Sequence, residues 1–204
     1  MLAYIFWHRP RSGSDAGEYE QAQLAFHRSL AHSRPVGLCG TALMRVPELP
    51  WPEPAGPGYE DWYVLEDFAA LGVLGEAAVG RGHRSSHDHA ARHFGSGAGG
   101  LYGLIEGEHQ RQGGPQPGLG STHATWVGRQ PGTPVLSGRG GMIGELFGDG
   151  VDPAHASVWR RQFVLGPAPE YCVLADEAPA GVAAGRLPAG WSARTLQREV
   201  LFGG

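Results

Sequence analysis

The chain opens on an apolar and aromatic run, Leu2 to His8. It stops at Arg9-Pro10 and a Ser-Gly-Ser turn, the pattern of a strand with a sharp end. Asp15 with Glu18 three residues on resembles a capping box. Tyr19, Ala22, Phe26 and Leu30 then recur at helical spacing. Pro35 disfavours helix in the residue before it, so this helix is expected to end near Arg34. Val36 to Val46 alternates small and apolar residues and predicts a second strand. Pro47, Pro50, Pro52 and Pro54 follow and forbid both helix and central strand, which leaves a stiff extended loop. Glu60 to Glu66 predicts a third strand and Phe68 to Val79 a helix. Ser85 with Asp88 predicts a cap for a further short helix through Phe94, and Leu101 to Ile105 a fourth strand after a glycine-rich turn.

The order is therefore β-α-β-β-α-β over residues 1–107, and residues 108–121 read as a Gly/Pro/Gln linker. Residues 122–204 repeat the theme more weakly. His123 to Val127 predicts a strand whose Gly-Arg-Gln-Pro exit echoes the His8-Arg9-Pro10 exit. Residues 142–148 predict a short helix. Trp159 to Leu165 and Glu170 to Leu174 predict a hairpin around Gly166-Pro167, and Leu196 to Phe202 a last strand. Tyr171 to Asp176 matches Trp62 to Asp67 in character, which suggests a diverged internal duplication. The Pro/Gly-rich stretch Pro179 to Ala189 breaks the match and reads as a loop.

A β-α-β-β-α-β unit opening on an aromatic strand resembles the ferredoxin-like dimeric α+β-barrel superfamily, by topology and not by any family motif. The resemblance implies an α+β fold of two ferredoxin-like halves that pair as one barrel-type unit, within one duplicated chain or across a homodimer. Members include cofactor-free monooxygenases, isomerases and lyases, haem enzymes and ligand-sensing modules, and the fold does not choose among them.

Composition narrows the chemistry. All 16 cations are Arg, with neither Lys nor Asn in the chain. That excludes a P-loop and Schiff-base or pyridoxal phosphate catalysis, each of which needs a Lys. A net charge of −4 favours no nucleic-acid partner. Two cysteines, Cys39 and Cys172, in apolar runs read as reduced and buried, as in a cytoplasmic protein. The apolar start is too short for a membrane span and lacks a basic n-region, so neither membrane nor export is expected.

Period two puts Tyr4, Phe6 and His8 on one face of the first strand, with Ile5, Trp7 and Arg9 on the other. A His near a Tyr or carboxylate can act as general base on an acidic C–H or a phenol without a cofactor. His8, His27 and Tyr63 are the candidate catalytic residues, and no cofactor is expected. Trp7, Trp51, Trp62 and Glu66 are the candidate ligand contacts, aromatics being suited to lining or lidding an apolar pocket. The plain alternative is that these residues form caps, turns and core. The run from His83 to His93 offers a second reading. It has two His-x-x-x-His spacings, and on it a metal or haem site would use His89 and His93. The pairs His83/His87 and His89/His93 face different ways on one helix, and solvated imidazoles are the bland alternative. A third reading is a non-enzymatic sensing or assembly module.

Overall fold

Alternation sets the first strand. In β1 (Leu2–Pro10), Ala3, Ile5 and Trp7 are fully buried on one face, and Tyr4, Phe6 and His8 take the other. The computed structural model describes residues 1–49, 56–80, 82–107, 119–134, 141–147, 156–164, 169–183, 185 and 187–204. After β1 come α1 (Ala16–His32), β2 (Leu38–Val46), β3 (Gly58–Leu65), α2 (Phe68–Val79), α3 (Arg84–Arg92) and β4 (Phe94–Glu106). The second part comprises β5 (His123–Arg129), α4 (Gly141–Phe147), β6 (Ser157–Val164), β7 (Tyr171–Ala175), α5 (Ala180–Ala183), β8 (Trp191–Gln197) and β9 (Glu199–Gly203).

The protein is α+β, with one large antiparallel sheet in the order β8-β5-β7-β6-β4-β1-β3-β2-β9. The first four strands stand as β4-β1-β3-β2 and the next four in the matching order β8-β5-β7-β6, with β4 pairing β6 to join the sets. Strands β8 and β9 occupy opposite ends of this order, yet only Arg198 separates them in the chain. Gln197 pairs with His123 of β5, and Glu199 with Arg45 of β2. The two edges of the sheet therefore meet, and the sheet curls round a core.

That core is built of tryptophan. Trp7 meets Trp126 edge-on at 5.5 Å, and Trp62 meets Trp159 in the same way at 5.5 Å. Helices α1, α2 and α3 cover the outer face of the first four strands through Phe26, Leu30, Leu74 and Ala90. Among the described residues no helix is long and apolar enough to cross a membrane.

Four expectations change. Helix α3 starts at Arg84 with His83 at its N-cap position and no side-chain cap, and it ends at Arg92, so Ser85 and Asp88 lie inside it and Phe94 belongs to β4. The glycine-rich stretch before Leu101 is strand, not turn: β4 runs from Phe94, because its glycines let aromatic rings of β1 lie across it. The single last strand is two, divided at Arg198, and β8 begins at Trp191. Residues 180–183 form a short helix inside the expected loop. The linker over 108–118, the turn at Gly166-Pro167 and the glycine run before Gly141 lie outside the described residues.

Candidate functional site

Strand β3 carries two adjacent acids, Glu60 and Asp61, exposed by 0% and 2%. Successive strand residues point to opposite faces, so each carboxylate must find its own partners. Glu60 points into the tryptophan core. It accepts from Trp62 Nε1 at 2.6 Å, Trp7 Nε1 at 3.0 Å and Arg198 Nη1 at 2.9 Å. Asp61 points outward, toward the helices.

Three elements converge on Asp61. From β1, His8 Nε2 donates to Asp61 Oδ1 at 3.0 Å, and the His8 ring lies flat between Phe6 at 5.2 Å and Tyr59 at 5.6 Å. Its Nδ1 faces the Tyr19 hydroxyl, so the tautomer with hydrogen on Nε2 lets Nδ1 accept from Tyr19. From β3 itself, Tyr63 donates its hydroxyl hydrogen to Asp61 Oδ2 at 3.0 Å. From α1, His27 stacks on Tyr63 at 5.3 Å and 12°, with Nδ1 bonded to Thr41 Oγ1 at 2.6 Å. Its Nε2 stands 3.4 Å from Asp61 Oδ1, too poorly aligned for a hydrogen bond, and is otherwise unpartnered among the described residues. That contact is electrostatic. Helix α1 delivers these groups because Tyr19, Gln23 and His27, four residues apart, lie on one buried stripe.

The electrostatics follow from this packing. Burial pushes the Asp61 carboxyl up, but the electrostatic pull of His8 and His27, with the hydrogen bond from His8, outweighs it and holds the group below the ordinary carboxylate range. Burial, reinforced by the Asp61 charge, raises the phenols of Tyr4, Tyr19 and Tyr63, so all three remain hydrogen donors.

Beside Asp61 lies a cavity of about 360 Å³ between the sheet and the three helices. Tyr4, Phe6, Asp61 and Tyr63 line it from the strands, Leu74 of α2 and His87 of α3 from the helices. The wall is mainly apolar, and among the described residues Asp61 is the one carboxylate in it. His8 and His27 stand behind that carboxylate and do not line the cavity.

The structure thus brings His8, His27 and Tyr63 into one network. Trp7 and Trp62 lie elsewhere: they donate to Glu60 on the opposite face of the sheet and line no part of the cavity, so a ligand contact there does not fit their placement. Glu66 is exposed at the end of β3 and is likewise absent from the lining. Trp51 lies outside the described residues. The histidine run divides three ways. His83 is buried and clamps α3 to α1, through Ser29 Oγ at 2.7 Å and the Ser33 carbonyl at 2.9 Å. His87 faces the cavity. His89 and His93 meet edge-on at 5.8 Å on the outer side, His89 exposed and His93 half-buried. Among the described residues no three His, Cys, Asp or Glu side chains are grouped as metal ligands are.

Asp61 is the central residue of the site and is not among the candidates read from the sequence. The available signal was a pair of carboxylates inside an otherwise aromatic strand, where charged residues stay only if paired.

No family model matches the chain, and no curated protein sequence does. A solved structure described as "Crystal structure study of anthrone oxidase-like protein" aligns with a TM-score of 0.53 at 11% identity. The alignment covers 100% of this chain and 92% of that one. At that identity the likeness is one of fold.

Proposed function

We propose that this chain is a small-molecule-binding protein of the α+β-barrel type, built from two ferredoxin-like halves at 1–107 and 122–204. Its reaction is cofactor-free and begins with removal of a proton from a weakly acidic, largely apolar ligand. The observation that carries this reading is a buried, ionised carboxylate in the wall of an apolar cavity, backed by two imidazoles and a phenol. The matching strand orders of the two parts support the duplicated architecture.

In the proposed step Asp61 takes the ligand's proton. The two imidazoles behind it hold its carboxyl below the ordinary range and so keep it a weak base. Tyr63, already donating to Asp61, has lone pairs free for a ligand donor. Tyr4 offers a hydroxyl hydrogen to an oxygen on the ligand. The carbanion either regains the proton at another carbon, as in an isomerase, or gives its electrons to dioxygen, as in a monooxygenase.

The fold neighbour's description suggests the test compound, anthrone. Anthrone and O2 give anthraquinone and water: the methylene loses two hydrogens and gains a carbonyl oxygen, and the other oxygen leaves in water. Oxygen uptake and quinone absorbance are followed together. The protein is expected to exceed the spontaneous rate, and Asp61→Asn to lower the protein-dependent rate by about a hundredfold or more. A rate equal to buffer sinks the oxygenase reading. An Asn variant as active as the parent sinks the role of Asp61.

A further inference from the structure

Two glycines of β4 lie beneath the aromatic row of β1, and they differ in what a side chain would strike. A Cβ on Gly97 would meet the Trp7 carbonyl oxygen at 2.7 Å as well as Phe6 Cζ at 2.8 Å. Backbone stands in the way there, so Gly97 serves the strand pairing itself. The three atoms nearest a Cβ on Gly99 all belong to the Tyr4 side chain, Oη at 2.7 Å, Cε2 at 2.8 Å and Cζ at 3.1 Å. At Gly99 the nearest obstruction is a movable ring, not backbone.

Tyr4 has one free direction. Its ring is flanked by Phe6 at 6.4 Å and 21° and by Tyr63 at 5.9 Å and 23°, and β4 lies below it. The remaining side is the cavity, which Tyr4 lines. We infer that Gly99 is a positioning residue for Tyr4, and that by letting this ring lie down on β4 it sets the largest ligand the cavity accepts. The inference rests on the reading of this cavity as the binding site. A methyl group at 99 tilts Tyr4 into the cavity and excludes ligands by size, leaving the Asp61 network as it is.

The test uses two fluorescent probes, 1-aminonaphthalene with two fused rings and 1-aminoanthracene with three, titrated into the full chain. The parent protein is expected to bind both. Gly99→Ala should weaken the three-ring probe by about tenfold and leave the two-ring probe within about twofold, the cost of overfilling a packed site. The double variant Tyr4→Ala/Gly99→Ala, with the displaced ring removed, should restore the three-ring probe. Unchanged affinity for both probes in Gly99→Ala overturns the inference and leaves the cavity reading intact. Equal loss of both probes without recovery in the double variant also overturns it, because the methyl then acts on the fold and not on size. If the parent binds neither probe, the cavity reading fails and the inference falls with it.

Discussion

Asp61 is ionised in a place where burial alone would neutralise it. Its folded pKa lies below its unfolded value, so its stabilising contribution is complete above the unfolded value of about 3.9 and is lost as pH falls toward the folded one. Urea melts of the parent should therefore weaken steadily below about pH 5. Asp61→Asn should show a flatter acid limb, and at neutral pH a loss of about 1–3 kcal/mol from donors left unsatisfied. A variant with the parent's acid slope would remove Asp61 from the account. Part of this was legible beforehand. His8, His27 and Tyr63 are visible as polar groups on an aromatic background, and period two puts His8 on the cavity-side face. What joins them is not local: Asp61 is 53 residues from His8, and no spacing rule relates them.

Among the elements, α2 was readable to the residue because its ends are chemically marked. Asp67 accepts from the Ala70 amide at 3.0 Å as N-cap, and Gly80 follows the last turn. Asp67→Ala should cost about 1 kcal/mol in urea unfolding. Because Leu71 and Leu74 of this helix line the cavity, it should also loosen 1-aminoanthracene binding. Loss of stability with unchanged probe affinity would separate the cap from the cavity wall. Strand β4 was not readable for the opposite reason. Glycine contributes nothing to a hydrophobic pattern, and four of its first seven residues are Gly. The strand is specified by the rings of β1 lying on it, information held in the partner. The histidine run misled similarly: even i,i+4 spacing on a real helix served three separate tasks, a clamp, a cavity wall and a solvent face.

For the molecule as a whole, the decisive contact is the Glu60–Arg198 pair at the seam of the sheet. Both side chains are fully buried, and Arg198 also donates to the Ser121 carbonyl at 2.6 Å. Arg198→Met should cost about 3–5 kcal/mol in urea unfolding, because Glu60 is left as a charge without its cation. Glu60→Gln/Arg198→Met should recover part of that loss, and a double variant no better than the single would show that the Arg acts by packing alone. Nothing in the sequence announces this seam. Leu196 to Phe202 reads as one strand, and only the pairing of its two ends with β5 and β2 divides it.

This seam also has a schedule. Residues 199 and 45, which pair across it, are 154 positions apart. During synthesis β2 has no neighbour on its outer side, nor β5 on its own, until residues 191–203 emerge. Contacts so distant in sequence form slowly, and unpaired strand edges are templates for association with other chains. The time between completion of β5 and arrival of the seam strands is therefore the chain's most vulnerable interval, when chaperone binding and self-association compete most directly with folding.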